Sequence, residues 1–258
     1  MPDKPAREDA AGAAFKKLSF LALARYNLFQ LLASTFYDPT PDFVQQLING
    51  SFLAELQGYF SDLISHHAVG MEALDPLRAY QAKLSSTDPA SLLSELKVEY
   101  VRLFLGPGRP VVQPYETFYD EASAGSGKPL LIVSPAAMEV EKVYLEAGLV
   151  MITGRREPPD FFPIELEFLY YLCKKESDSW AAGDHIEAKK WRRRELMFID
   201  GHLGKWGPQF CRKVENEARQ PFYLAMAHFT RSLLLMKGSN LVENSEEGAS
   251  NPLREGVR

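Results

Sequence analysis

AFKKLSFLALARYNLFQLLASTF, residues 14–36, decides the fold class. Within it Leu21, Leu28, Leu31, Leu32 and Thr35 return at helical spacing and line one face. Asp38-Pro39-Thr40-Pro41 then stops the helix, because proline lacks the N–H that would continue the ladder. The same signal recurs along the chain. Asp42 begins a short helix through Ile48, and Ser51 to His67 and Ala73 to Leu84 give two more. Ser86-Thr87-Asp88-Pro89 opens the next, where Leu93, Leu96, Tyr100, Leu103 and Phe104 share a side. Ser134-Pro135 starts a helix to about Ala147. Pro163 to Lys175 follows, with Ile164, Phe168 and Leu172 on one side. His185 to Gly204, Gly207 to Asn216 and Gln220 to Met236 complete the series, the last striped by Phe222, Met226, Phe229, Leu233 and Met236. Leu130 to Val133 is the best strand candidate, and it is short and has no partner. About ten helices without a sheet predict a single all-α domain built by helix-on-helix packing.

Two breaks interrupt the helices. One runs from Arg109 to about Ile132 and is aromatic as well as Pro- and Gly-rich, carrying Tyr115, Phe118 and Tyr119. Loops of this length inside compact domains are uncommon and are often functional. The other spans Val150 to Asp160. Residues 1–13 and 237–258 are polar and are expected to be disordered, which leaves 14–236 as the folded domain.

Composition narrows the function. The hydrophobic fraction of 46% supports a true core, and the net charge of −5 argues against nucleic acid as the main partner. Cys173 and Cys211 form no Cys-x-x-Cys pair and read as free buried thiols of a reducing compartment. No stretch is long and apolar enough to span a membrane, and Met1 to Ala13 has no apolar run of a signal peptide. A cytoplasmic protein is expected.

Motifs that would carry catalysis fail on spacing. Gly125-Ser126-Gly127-Lys128 has Ala122 and Pro129 where a phosphate-binding loop needs Gly and Ser or Thr. Glu165 and Glu167 lie roughly 200° apart on a helix and cannot chelate one metal. His66 and His67 are adjacent, and no zinc-protease pattern follows them. His202 and His228 read as lone core or surface histidines, and Arg192-Arg193-Arg194 as a solvated face. No nucleophile, acid–base pair or metal set stands out, so no resident cofactor and no enzymatic activity are expected. A metal-dependent helical hydrolase built on His66 and His67 is the outlying alternative.

Three segments carry a resemblance. Glu99-Tyr100-Val101-Arg102-Leu103-Phe104-Leu105-Gly106-Pro107-Gly108 is followed by Pro114-Tyr115-Glu116-Thr117-Phe118-Tyr119. Glu157-Pro158-Pro159-Asp160-Phe161 leads into Glu165-Leu166-Glu167-Phe168. His202-Leu203, Trp206, Pro208 and Phe210 precede Pro221-Phe222-Tyr223. In order and spacing, from about Leu18 to Leu235, the chain resembles the TorD/DmsD family of redox-enzyme maturation chaperones. Phe161 stands where that family's hinge carries a histidine.

The resemblance implies a TorD-like helical fold with an N-terminal half, 14–150, a hinge, 151–162, and a C-terminal half, 163–236. It implies a chaperone that binds the twin-arginine signal peptide and the apo form of a molybdenum-containing redox enzyme and assists cofactor insertion before export. A related reading is an assembly factor for a non-exported, nitrate-reductase-like subunit. A twin-arginine leader presents two guanidinium groups and an apolar stretch, so its receptor needs carboxylates beside an apolar wall. Tyr115, Glu116, Phe118, Tyr119, Glu157, Pro159, Asp160, Phe161 and Glu165 are the expected peptide-binding residues, provided that the two breaks meet in space. Asp160 also admits a plainer reading, as a cap on the helix that follows it. Either a monomer or a domain-swapped dimer is compatible with the hinge and the long loop.

Overall fold

A computed structural model describes residues 4–64, 70–106, 108, 110–119, 134–150 and 157–236. Among them are ten α-helices and no strand. The helices are α1 (Lys4–Thr35), α2 (Pro41–Asn49), α3 (Ser51–Ile64), α4 (Asp75–Gln81), α5 (Pro89–Tyr100), α6 (Pro135–Glu146), α7 (Phe162–Ala181), α8 (His185–Gly201), α9 (Leu203–Glu217) and α10 (Pro221–Leu235). The candidate strand 130–133, the Gly125–Lys128 segment, His66, His67 and the tail 237–258 lie outside the described residues.

The ends of the helices follow local chemistry. Thr40 caps α2, its hydroxyl accepting from the Phe43 N–H at 3.2 Å, with Pro41 in the first turn. Gly50 closes α2 with φ of 81°, a conformation a side chain would resist. Asp88 caps α5 by accepting from Ser91 N at 2.8 Å. The last turn of α5 widens into a π turn, Val101–Leu105, which ends at Gly106 with φ of 56°.

Several boundaries depart from expectation: α4 spans Asp75–Gln81 rather than Ala73 to Leu84, and α7 runs on to Ala181 rather than ending at Lys175. α1 begins at Lys4, so residues 4–13 are helical rather than disordered; the alanines at 10, 11, 13 and 14 have high helix propensity. The break between α8 and α9 falls at His202 rather than at 204–207, and Pro208 lies within α9. Gly204 has to be glycine there, because a Cβ would stand 2.5 Å from the Ile199 carbonyl oxygen.

α1 packs along α7, α7 against α8, and α9 against α10, while α3 rests on α1 and α2 on α5. One continuous set of buried side chains runs through all of them. At its centre Phe36, Phe104, Phe162 and Phe210 meet from four separate elements, with Phe162 and Phe210 rings 4.4 Å apart and Phe36 and Phe162 4.9 Å apart. Cys173 and Cys211 are free and buried, and burial raises both thiols well above their ordinary range.

Beside this core lies an ionic knot. Arg25 of α1 reaches Glu176 of α7 at 2.5 Å and Glu195 of α8 at 3.1 Å, and Arg192 reaches Glu195 at 2.6 Å. Trp180 donates to the second oxygen of Glu176 at 3.1 Å. Arg192 is therefore buried, not part of a solvated face, whereas Arg193 and Arg194 are exposed.

The Glu99 to Phe104 segment is structural too. Glu99 accepts from the N–H groups of Arg219 and Gln220 at 2.6 and 3.3 Å, where α9 turns into α10. Arg102 grips Glu99 at 2.7 Å and donates to the Glu217 carbonyl at 2.6 Å. These bonds satisfy backbone groups that a helix–helix corner leaves open.

Candidate functional site where the two breaks meet

The two breaks come together. Tyr115 and Phe161 form an isolated antiparallel bridge. Glu116 N–H donates to the Asp160 carbonyl at 3.1 Å, and Phe162 N–H to the Pro114 carbonyl at 2.9 Å. This single rung joins the aromatic loop to the start of α7.

Below the rung the polar side chains are tied internally. A short 3-10 turn, Glu116–Phe118, follows Tyr115. The Asp160 carboxylate accepts from the Thr117 N–H at 3.0 Å and from the Thr117 hydroxyl. Because a carboxylate only accepts, the Thr117 hydroxyl is the donor there, and Ser134 must donate to Thr117. Ser134 in turn accepts from Ala137 N–H at 3.0 Å as the cap of α6. One directed chain of hydrogen bonds thus links α6, the turn and the head of α7. Asp160 does not cap α7, whose cap residue is Phe161 and carries no side-chain cap.

Glu116 faces His202 at the α8–α9 break, with Nδ1 3.0 and 3.2 Å from its two oxygens. Nδ1 carries the proton, since the carboxylate can only accept it. Glu165 is fully buried on α7 and accepts from the Trp206 indole at 3.1 Å, while its other oxygen has no partner. Burial, with Glu116 and Asp160 alongside, raises its pKa well above the ordinary carboxylate range. Tyr144 completes the floor by donating to the Pro159 carbonyl at 3.0 Å.

Above the rung the surface is aromatic. Tyr115 packs on Phe161 at 5.4 Å and on Phe118 at 6.1 Å, and its hydroxyl donates to Glu157 at 2.8 Å. Burial, then the bond to Glu157, raises the Tyr115 phenol. Tyr37, just past α1, packs on the same Phe161 at 6.0 Å and donates to Glu167 at 2.8 Å. Tyr119 packs on Trp206 at 5.3 Å with Lys213 over its ring at 4.4 Å.

The nine expected residues therefore fall into two groups. Tyr115, Phe118, Tyr119, Glu157 and Pro159 are half-buried, so part of each is open to solvent. Glu116, Asp160, Phe161 and Glu165 are buried, and the three carboxylates are committed to internal partners. Thr117, Ser134, Tyr144, His202 and Trp206 complete the floor, and Tyr37 and Glu167 extend the outer face. Among these, Thr117, Glu167, His202 and Trp206 lay in the segments that carry the resemblance and Ser134 marked a helix start, whereas Tyr37 and Tyr144 had no such signal. No group of three potential metal ligands occurs among the described residues, and no described helix is long and apolar enough to cross a membrane.

The family model described as nitrate reductase delta subunit matches residues 69–212, more than half of the chain and both sides of the rung. The chain belongs to the TorD/DmsD family of redox-enzyme maturation chaperones. A selenate reductase assembly chaperone protein of Thauera selenatis is 33% identical over 50% of this chain and 62% of its own length. The chaperone protein TorD of Vibrio parahaemolyticus is 27% identical over 67% of this chain and 79% of its own. A chlorate reductase assembly chaperone protein of Ideonella dechloratans is 30% identical, again over 50% and 62%. The chain thus matches less than two thirds of the length of the two assembly chaperones.

Proposed function

We propose that this family member is a non-enzymatic, cytoplasmic chaperone that binds the twin-arginine signal peptide and apo form of a molybdenum-containing redox enzyme, and assists cofactor insertion before export. The observation that carries the reading is the joining of the two breaks, through the buried Phe161, into one half-buried aromatic face edged by a carboxylate, Tyr115 with Phe118 and Glu157. Such a face suits a leader with guanidinium groups and an apolar stretch. The rings supply area, and the carboxylate supplies charge-assisted pairing. Tyr115, Phe118, Tyr119, Glu157 and Pro159 touch the peptide. Glu116, Asp160, Phe161 and Glu165 act from behind, holding the wall in place.

Calorimetric titration with leader peptides of molybdenum enzymes from the same genome tests the reading. One-to-one saturable binding to a leader, weakened at least about tenfold in Glu157→Lys, is expected. Normal binding by that variant would place the peptide elsewhere. Glu157 suits this test because it is half-buried and outside the internal hydrogen-bond chain. Charge reversal at Asp160 or Glu116 would instead bury an unpaired charge and disturb the fold.

The assembly factor for a non-exported subunit is the second reading, favoured by the description of the matching family model. It predicts binding of an enzyme N-terminus that survives replacement of an arginine pair.

A further inference from the structure

The outer face of α8 has no part in the reading above. Ile186, Lys190, Arg193 and Met197 fall within about 60° of one another around the helix axis. All four are exposed, Ile186 and Met197 at 62% each. Lys189 and Arg194 flank this stripe on either side and are exposed too. Ala188, Arg192, Glu195 and Ile199 occupy the opposite face and are buried, so the stripe is directed away from the core. Four exposed cations thus stand within one short stretch of a chain whose net charge is −5. Glu187 pairs with Lys190 at 2.9 Å, and Asp200 is the one exposed acid on the same face of the helix. Lys189 and Arg193 have no ion-pair partner among the described residues, and Arg194 lies over the half-buried Trp191 ring at 4.6 Å.

We propose that this face docks the protein on the surface of an anionic lipid bilayer, with α8 lying flat. Lys189, Lys190, Arg193 and Arg194 sit at the headgroups, and Ile186 and Met197 reach the acyl boundary beneath them. The charges call for an anionic partner, and the two apolar side chains decide which kind. They stand in line with the cations at either end of the stripe, about 17 Å apart along the axis. A flat surface with anionic groups above and apolar chains just below meets all of them at once. Long lysine and arginine stems keep their charges at headgroup depth while Ile186 and Met197 go deeper. The attachment is peripheral, since the other side of α8 stays in the core. α8 meets the floor of the peptide site through Phe198, which packs on Tyr144 at 6.0 Å, and through His202 just past its end. The stripe lies on another side of the helix, so a leader and a bilayer can be held together.

The test sediments the whole chain with vesicles of phosphatidylcholine alone and of phosphatidylcholine and phosphatidylglycerol in equal parts. The native protein is expected to bind the second kind only, and to be released as salt is raised. Each cation near an anionic surface strengthens binding about fivefold, so Lys189→Gln with Arg193→Gln should weaken it about 25-fold. Lys83→Gln with Arg212→Gln removes the same charge from exposed positions elsewhere and should leave binding unchanged. Ile186→Asn with Met197→Asn keeps every charge and should weaken binding about tenfold. All these side chains are exposed, so thermal unfolding should be unchanged and losses report on docking. Failure of the native protein to bind the anionic vesicles overturns the proposal, even if it binds an acidic polypeptide such as polyglutamate. Equal losses in the α8 and the control charge variants overturn it as well, because net charge and not this face would then govern binding. An Ile186→Asn, Met197→Asn variant that binds like the native protein overturns the apolar contact and with it the choice of a bilayer. None of these outcomes depends on leader binding, which the α8 variants should retain in full.

Discussion

Replacing Arg25 by alanine is expected to lower the unfolding free energy by about 3–5 kcal/mol. Arg25 is the only link seen between α1, α7 and α8 that is ionic at both ends among the described residues. Its loss leaves Glu176 and Glu195 buried without their shared counter-charge, and burial of an unmatched charge costs far more than a lost surface pair. The melting temperature should fall by roughly 10 °C. Urea titration of the variant against the native chain measures the first quantity, and a thermal scan measures the second. Replacement of Arg25, Glu176 and Glu195 together by apolar residues of similar volume should cost less than Arg25→Ala alone. The same knot sets an acid limit. Burial alone would raise Glu195, but Arg192 and Arg25 outweigh it and hold its pKa below the ordinary 4.5. A carboxylate depressed in the folded state stabilises above its unfolded pKa, and that contribution is lost as pH falls through the folded value. Native stability should therefore drop below about pH 4.5, and Arg25→Ala should flatten that drop.

The second large effect is expected at Trp206, where alanine should cost about 3–5 kcal/mol. The indole packs on Phe162, Tyr119 and Phe210 at 5.4, 5.3 and 5.8 Å and donates to Glu165. Alanine removes the ring volume and also leaves Glu165 with no donor at either oxygen. Trp206→Phe separates the two contributions: it keeps most of the packing and should lose about 1–3 kcal/mol for the missing donor. The pH response here has the opposite sign to that of the Arg25 knot. Glu165 has a raised pKa in the folded state, so its contribution falls as pH rises from about 4.5 toward the folded value. Glu165→Gln, which still accepts from Trp206, should abolish that decline and be more stable than the native chain at pH 7 and equal to it at pH 4. Chemical unfolding at both pH values measures the difference.

Local patterns in the sequence carried the helices, because apolar spacing and capping residues act over a few positions. The stripe Leu21 to Thr35 and the cap region before Pro89 correspond to α1 and α5. Pairings across the chain had no such local signature. Arg25 and Glu195 are 170 positions apart, and nothing near Arg192 distinguishes it from its exposed neighbours Arg193 and Arg194. Asp160 shows the same limit on a smaller scale. A carboxylate before a helix reads as that helix's cap, yet it serves a turn 43 positions earlier. The aromatic residues of the first break and the acidic residues of the second were legible by type. Which of them face outward depends on how the rung at Tyr115 and Phe161 orients both segments, and Tyr37 joins them only through the packing of α1 on α7.

Amide hydrogen exchange of the chain, alone and saturated with a cognate twin-arginine leader, tests the central claim most directly. The account predicts that the leader slows exchange in residues 113–119 and 157–167 and at Tyr37, with little change in α3, α4 and the far half of α8. Slowed exchange confined to those distant helices, with the two joined breaks unaffected, would contradict it.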